Sequence, residues 1–362
     1  SRLDATISNG RRNSSATTFL NPALRRDNIK LQKNILVEKI FLENDRAVGI
    51  EVSEKGQKYR IEAEKEIILS AGALNSPQIL MLSGIGPADH LRNIGSNVSH
   101  DLPGVGQNLQ DHATVSISWE CLKEFEAHKI DRPINKMMAG IKWIITRKGL
   151  AASNHFEAGG LIRGNDNVKY PNLQYHFGPT GFDYIGGKFK LSQAFTLQLD
   201  QLRPHSKGYL KLKSLNPKDS PEIKLNYFKD PRDIKELTEG VKKMRELVSQ
   251  PVFDKFRGKE ISPGSEIQSD SEIEQAIRLN TITDYHQCGT CAMGTDVNSV
   301  VDSEMRVKGI NSLRVVDASV LPNVVSGNIG APVMMIAARA ADWILGNSQL
   351  EPLKANFKFD QI

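Results

Sequence analysis

From Asn34 onward the chain alternates apolar and polar positions in short runs, ILVEKIFLEND, RAVGIEVSEKG and QKYRIEAEKEIILSAG. Alternation with a period of two puts successive side chains on opposite faces. The runs therefore predict strands, and the Glu-Asn-Asp and Glu-Lys-Gly breaks predict the turns of a meander. The last run ends in IILSAG, continuous rather than alternating, which predicts a strand buried on both faces of a layered sheet. ALNSPQILMLSG follows at once and predicts a helix with Ser76-Pro77 at its start and Gly84 near its end.

Between residues 113 and 275 the rhythm changes. TVSISWECL, NLQYHFG, FTLQLDQL and GYLKLKS predict strands, interleaved with the helical INKMMAGIKWIITRKG and DIKELTEGVKKMRELVSQ, a mixture typical of antiparallel α+β structure. Near the end LRVVDAS predicts a buried strand, and Ala331 to Gly346 predicts a buried helix. The expected fold is thus α/β. A layered sheet domain over 1–112 and 276–350 is interrupted by an inserted α+β domain over 113–275, and 351–362 form a C-terminal tail.

Composition narrows the function classes. With 362 residues, 39% hydrophobic and 25% charged, the chain can build a sizeable core and is not globally disordered. The net charge of +5, from 47 basic and 42 acidic residues, is spread along the chain without a basic stripe, which sets nucleic acid aside as a partner. No apolar run approaches the length of a membrane span. KMMAGIKWIITRK has apolar residues between basic ends, so at most a peripheral contact with an anionic membrane is expected, beside its plainer reading as an amphipathic helix. Cys121, Cys288 and Cys291 are too few for a disulfide framework, which fits a reducing compartment. Cys288-Gly-Thr-Cys291 has no second ligand pair, so no metal site is expected.

The motifs are more specific. GALNSPQILMLSGIG, from Gly72 to Gly86, resembles the second signature of the glucose–methanol–choline (GMC) oxidoreductases. The resemblance continues in order through NGRRNSSATTFL, DLPGVGQNLQDH, DYHQCGTCAMG, SLRVVDASVLP and VVSGNIGAPVMMIAARAAD. Within the family, GLAASNHFEAGGLIR, YPNLQYHF, FRGKEISPG and YHQCGTCAMG resemble the choline dehydrogenase branch. This implies FAD, a small alcohol substrate such as choline, and a respiratory-chain or quinone electron acceptor. It also implies a location in the cytoplasm or peripherally on the inner face of the cytoplasmic or mitochondrial inner membrane. Two departures stand out. The family's Gly-x-Gly-x-x-Gly fingerprint is absent, so the chain is expected to be N-terminally truncated and its FAD-binding domain incomplete. Gly330 stands where the branch usually carries a second Asn.

Oxidising an alcohol removes a hydroxyl proton and a hydride from the same carbon, so a positioned base is required. Histidine, with an unperturbed pKa of about 6.5, suits that task. His286, in DYHQCGTCAMG, matches the family's catalytic histidine; without that block it would read as a structural loop residue. Asn328 matches the second active-site position, where an amide can donate to a developing alkoxide but cannot act as a base. It also reads as the N-cap of the following helix.

For the cofactor, the resemblance implies contacts from Val37, from Ala71 and Gly72 at the end of IILSAG, and from Asp317 and Ala318 at the end of LRVVDAS. Asn328, Ala331 and Pro332, at a helix start whose amides favour negative charge, complete the set. Asn108 and Asp111 lie in a lid-like segment in which Gly104 and Gly106 are expected to approach the flavin closely. His155 and Glu157, two apart, are expected to share one face of a strand near the substrate, with a buried structural His–Glu pair as the alternative. Three other readings stay open: a GMC enzyme for another alcohol, a hydroxynitrile lyase, and a non-catalytic remnant.

Overall fold

The computed structural model describes residues 5–351 except 157 and 186–187. Glu157 and nearly all of the expected tail, 352–362, lie outside the described residues.

The meander forms as the alternation predicts. β1 (Leu36–Glu43), β2 (Arg46–Glu54) and β3 (Gln57–Glu62) pair in sequence, antiparallel. Its turns place Asn44, Asp45 and Lys55 at positive φ, a conformation that Asn and Asp tolerate better than most residues. β4 (Ile67–Leu69) comes next.

α1 (Gly72–Leu82) begins four residues before the expected start and takes Pro77 into its interior. A proline there leaves the carbonyl four residues back without its helical donor. That carbonyl, on Ala73, accepts instead from the Thr290 hydroxyl at 2.6 Å. A residue 217 positions away therefore makes the early start possible.

The region after Ala113 builds a separate antiparallel sheet. β5 (Ala113–Cys121) is followed by α2 (Pro133–Thr146), β6 (Ala158–Ile162), β7 (Leu173–Gly178), β8 (Ala194–Gln201), α3 (Pro231–Val248), β9 (Arg257–Ser262), α4 (Asp270–Asn280) and β10 (Ile282–Thr283). The strand order is β6-β7-β8-β5-β9, and β10 also pairs with β5. Ile117, Leu173, Leu197 and Leu199 on the sheet pack against Leu237, Val241 and Met244 of α3 and Ile277 of α4. Asp230 caps α3 through the Arg232 amide, and Ser269 with Glu272 makes a capping box for α4. α2 buries none of its residues, and its apolar stripe of Ile134, Met137, Met138, Ile141, Ile144 and Ile145 faces outward.

The chain then returns to the first layer. β11 (Leu313–Val315) pairs parallel to β4, and α5 (Gly330–Leu345) closes the described fold. A second core gathers Leu80, Met81, Ile85 and Val105 with Val300, Leu313, Val315, Ile336 and Ala340.

Two expectations of burial need correction. Ile68 of β4 is 46% exposed, so this strand is not covered on both faces. In α5 only Ile336 and Ala340 are buried, whereas Met335 and Leu345 are exposed. Apolar content predicts a helix suited to burial, but it does not say which faces are covered. A side chain on Gly104 would strike the Asn298 carbonyl and one on Gly106 that of Leu210, so these glycines admit the chain's own backbone.

Candidate active site

The strand pairing that begins at β10 continues past its end. Ile282 and Thr283 oppose Thr114 and Ala113, the Asp284 amide donates to the His112 carbonyl, and Cys288 and Gln110 exchange both backbone bonds. This ladder sets His112 and His286 side by side. Their Nδ1 atoms are 2.9 Å apart, with the rings edge-on at 87°.

Asp111 fixes the loop from beneath. Its carboxylate accepts from the Tyr227 hydroxyl at 2.6 Å, the Thr283 hydroxyl at 2.5 Å, the His286 amide at 2.9 Å and Gln287 Nε2 at 3.1 Å. Burial raises its pKa, against the pull of these donors. Asp111 thus braces the loop that carries His286, a role the reading of its segment as a lid does not contain.

His286 is 8% exposed and has different neighbours on its two nitrogens. Nδ1 lies 2.9 Å from Asp284 Oδ2, beside His112. Nε2 lies 3.4 Å from Asn328 Nδ2. Asn328 Oδ1 in turn accepts from Gln174 Nε2 at 3.2 Å, and that nitrogen is 3.0 Å from His176 Nε2. His176 also stands 3.2 Å from the buried Asp200 carboxylate as an ion-pair contact. Burial pushes the His176 pKa down, but Asp200 outweighs it and the net shift is upward. Gln174 and His176, two apart on β7, present one face of the inserted sheet to Asn328.

The expected cap at Asn328 is corrected. The N-cap of α5 is Ile329, which offers no side-chain bond to the helix start, and the Asn328 amide is spent on Gln174 and His286. His155 is corrected as well. It sits in a bend before β6 at φ +74°, not in a strand, with Nε2 2.9 Å from the Thr180 hydroxyl.

Four of the remaining candidates meet at one junction. Asp317 Oδ2 accepts from the Gly72 amide at 2.9 Å and the Ser76 hydroxyl at 2.5 Å, while Oδ1 accepts from the Ser319 amide at 2.8 Å. Ala71, Gly72, Asp317 and Ala318 are thereby joined where β4 and β11 end. Gly289 donates to Ala318, and Asn108 Nδ2 donates to the Gly289 and Pro322 carbonyls. This joins the junction to the loop that carries His286. Ala331 and Pro332 open α5 beside Asn328. Val37 stays apart in the meander, paired with Val52. Cys288 and Cys291 are fully buried; burial pushes the Cys288 thiol up to about 12 and raises that of Cys291, so neither is a reactive thiolate.

Comparison with known proteins identifies the family. Two sequence families, both described as GMC oxidoreductase, match residues 3–114 and 204–337. The mitochondrial choline dehydrogenase of Homo sapiens is 44% identical over 350 residues, covering 96% of this chain and 59% of that protein. An oxygen-dependent choline dehydrogenase of Chromohalobacter salexigens is 41% identical over 354 residues, covering 97% of this chain and 63% of its own length. Among solved structures, pyridoxine 4-oxidase from Mesorbium loti superposes with a TM-score of 0.81 at 28% identity, covering 95% of this chain and 64% of that one. A formate oxidase gives 0.87 at 26% identity, covering 94% and 64%. The chain spans about three-fifths of the length of the curated relatives it matches. It belongs to the GMC oxidoreductase family.

Proposed function

We propose that this GMC oxidoreductase chain works in the FAD-dependent oxidation of a primary alcohol to the aldehyde, with choline giving betaine aldehyde, and that His286 is the base. The observation that carries this reading is the meeting of His286 Nε2 and Asn328 Nδ2 at 3.4 Å, beside the start of α5.

The residues present fit an FAD. The helix of 16 residues beginning at Gly330 has no side-chain cap, so its first amides are left to meet an electron-rich group. A side chain built on Gly330 or on Gly72 would meet nothing within 4 Å, so both backbones border open space. The Asp317–Gly72 junction and the α5 start would hold the cofactor. Bound there, FAD supplies the hydride acceptor.

The chain's own residues handle the proton and the oxygen. A hydroxyl within about 3 Å of His286 Nε2 can pass its proton to that nitrogen. The Asn328 amide, held by Gln174, donates to the oxygen as negative charge develops there. Val37, Ala71, Gly72, Asp317, Ala318, Ala331 and Pro332 are proposed as cofactor neighbours.

Choline as the substrate rests on the names of relatives 41–44% identical to this chain. The proposed electron acceptor is a respiratory-chain quinone, and the proposed location is cytoplasmic or peripheral on an inner membrane. Among the described residues no helix is long and apolar enough to cross a membrane. Anaerobic mixing of the FAD-loaded protein with choline tests the substrate: bleaching of the flavin absorbance is expected. An uncharged alcohol that bleaches it while choline does not would overturn choline.

A further inference from the structure

The side of His286 facing away from Asn328 carries two groups that alcohol oxidation does not itself require. Asp284 Oδ2 and His112 Nδ1 each lie 2.9 Å from His286 Nδ1. We propose that Asp284 and His112 lock His286 as the tautomer protonated on Nδ1, keeping Nε2 bare and aimed at the Asn328 side, with Asp284 a positioning residue for the base. The proposal rests on the reading of His286 as that base.

Two neighbours, on opposite sides of the ring, agree on where the proton sits. A neutral imidazole donates from one nitrogen and accepts at the other. The Asp284 carboxylate only accepts, so it calls for a proton on Nδ1. On the opposite side, Asn328 Oδ1 is taken by Gln174, which turns the amide nitrogen toward His286. An amide nitrogen only donates, so Nε2 must be the lone pair.

His112 stands at the same nitrogen as Asp284. Its Nε2 is buried without a hydrogen-bond partner, and its Nδ1 is the nitrogen that meets His286. A neutral His112 can accept at Nδ1 from the His286 Nδ1–H. Burial first, and the neighbouring His286 second, depress the His112 pKa to about 4, which keeps this ring neutral at ordinary pH.

The same three side chains also make a compact two-nitrogen, one-oxygen group with all ligating atoms within 4.8 Å. The spacing decides between a proton and a metal ion. Two nitrogens at about 2.0–2.1 Å from one tetrahedral zinc stand about 3.3 Å apart. The 2.9 Å between the two Nδ1 atoms is instead an ordinary hydrogen-bond separation.

The lock also helps during the reaction. When Nε2 takes a proton, the carboxylate on the far side holds the ring in place and offers a counter-charge. Asp284 lies two residues before His286 and shares its loop, so it moves with the base.

Nitrogen-15 NMR of the histidine-labelled, FAD-loaded protein tests the proposal, with the His286 signals assigned by their loss in His286→Gln. The expected result is a protonated Nδ1 and an unprotonated Nε2. Asp284→Ala should mix or invert the tautomers and lower kcat about 10- to 100-fold with little change in KM, and Asp284→Glu should recover part of both. A proton on Nε2 in the unsubstituted protein would overturn the proposal. So would an Asp284→Ala protein with unchanged spectrum and rate, or a zinc ion retained at one per chain whose removal by chelator restores an Nδ1 proton. Failure of the base reading is seen separately, as turnover that survives His286→Ala.

Discussion

Asn328 Nδ2 and His286 Nε2, 42 residues apart in sequence, meet at 3.4 Å because two unrelated supports converge on them. The ladder running on from β10 holds the histidine, and Gln174 on the inserted sheet holds the amide. Catalysis of proton removal needs both, a lone pair in reach of the hydroxyl and a donor for the oxygen it leaves behind.

Removing that donor has a defined consequence. Asn328→Ala should slow flavin reduction by choline by about 100- to 1000-fold, the usual cost of one donor to a developing oxyanion. The flavin spectrum of the resting protein should persist. Stopped-flow absorbance measures both, and a variant as fast as the unsubstituted protein would remove Asn328 from this role.

The Pro77–Thr290 arrangement predicts a compensating pair. Thr290→Val leaves the buried Ala73 carbonyl without its 2.6 Å donor and should cost about 1–3 kcal/mol in chemical denaturation. Pro77→Ala restores a backbone N–H to the same carbonyl, so in that background the cost of Thr290→Val should shrink. Equal costs in both backgrounds would show that the two residues do not share the carbonyl.

His112 predicts a pH dependence of stability. It is 1% exposed, and its pKa is lowered from 6.5 to about 4. Between these values the unfolded chain binds the proton and the folded one does not, so this contribution is complete above pH 6.5. It is lost as the pH falls toward 4, by a total of about 3 kcal/mol. Thermal melts of the unsubstituted protein and His112→Gln across this range should diverge, with the variant the less acid-sensitive. Parallel curves would contradict the buried neutral imidazole.

Much of this was legible in the sequence, and the exceptions share a cause. The meander showed itself through alternation and turn residues, both local. His286 and Asn328 stood out through the blocks around them. Gln174, His176 and Asp200 did not, since nothing within NLQYHFG or FTLQLDQL tells which strand face meets a loop 154 residues later. Asp284 sat within the His286 block, and a carboxylate two residues from a proposed base was a signal available to the reader. Pro77 was placed at a helix start because the compensating hydroxyl comes from Thr290. The outward faces of α2 and α5 were equally hidden, because hydropathy reports what a side chain prefers and not what lies against it.

The central claim is that the imidazole of residue 286 takes the alcohol's proton. Anaerobic reduction of the flavin by saturating choline, compared between the unsubstituted protein and His286→Ala of equal FAD content, tests it most directly. The account predicts a reduction rate lower by about 100- to 10,000-fold in the variant, with the oxidised flavin spectrum intact before mixing. Equal rates in the two proteins would contradict it.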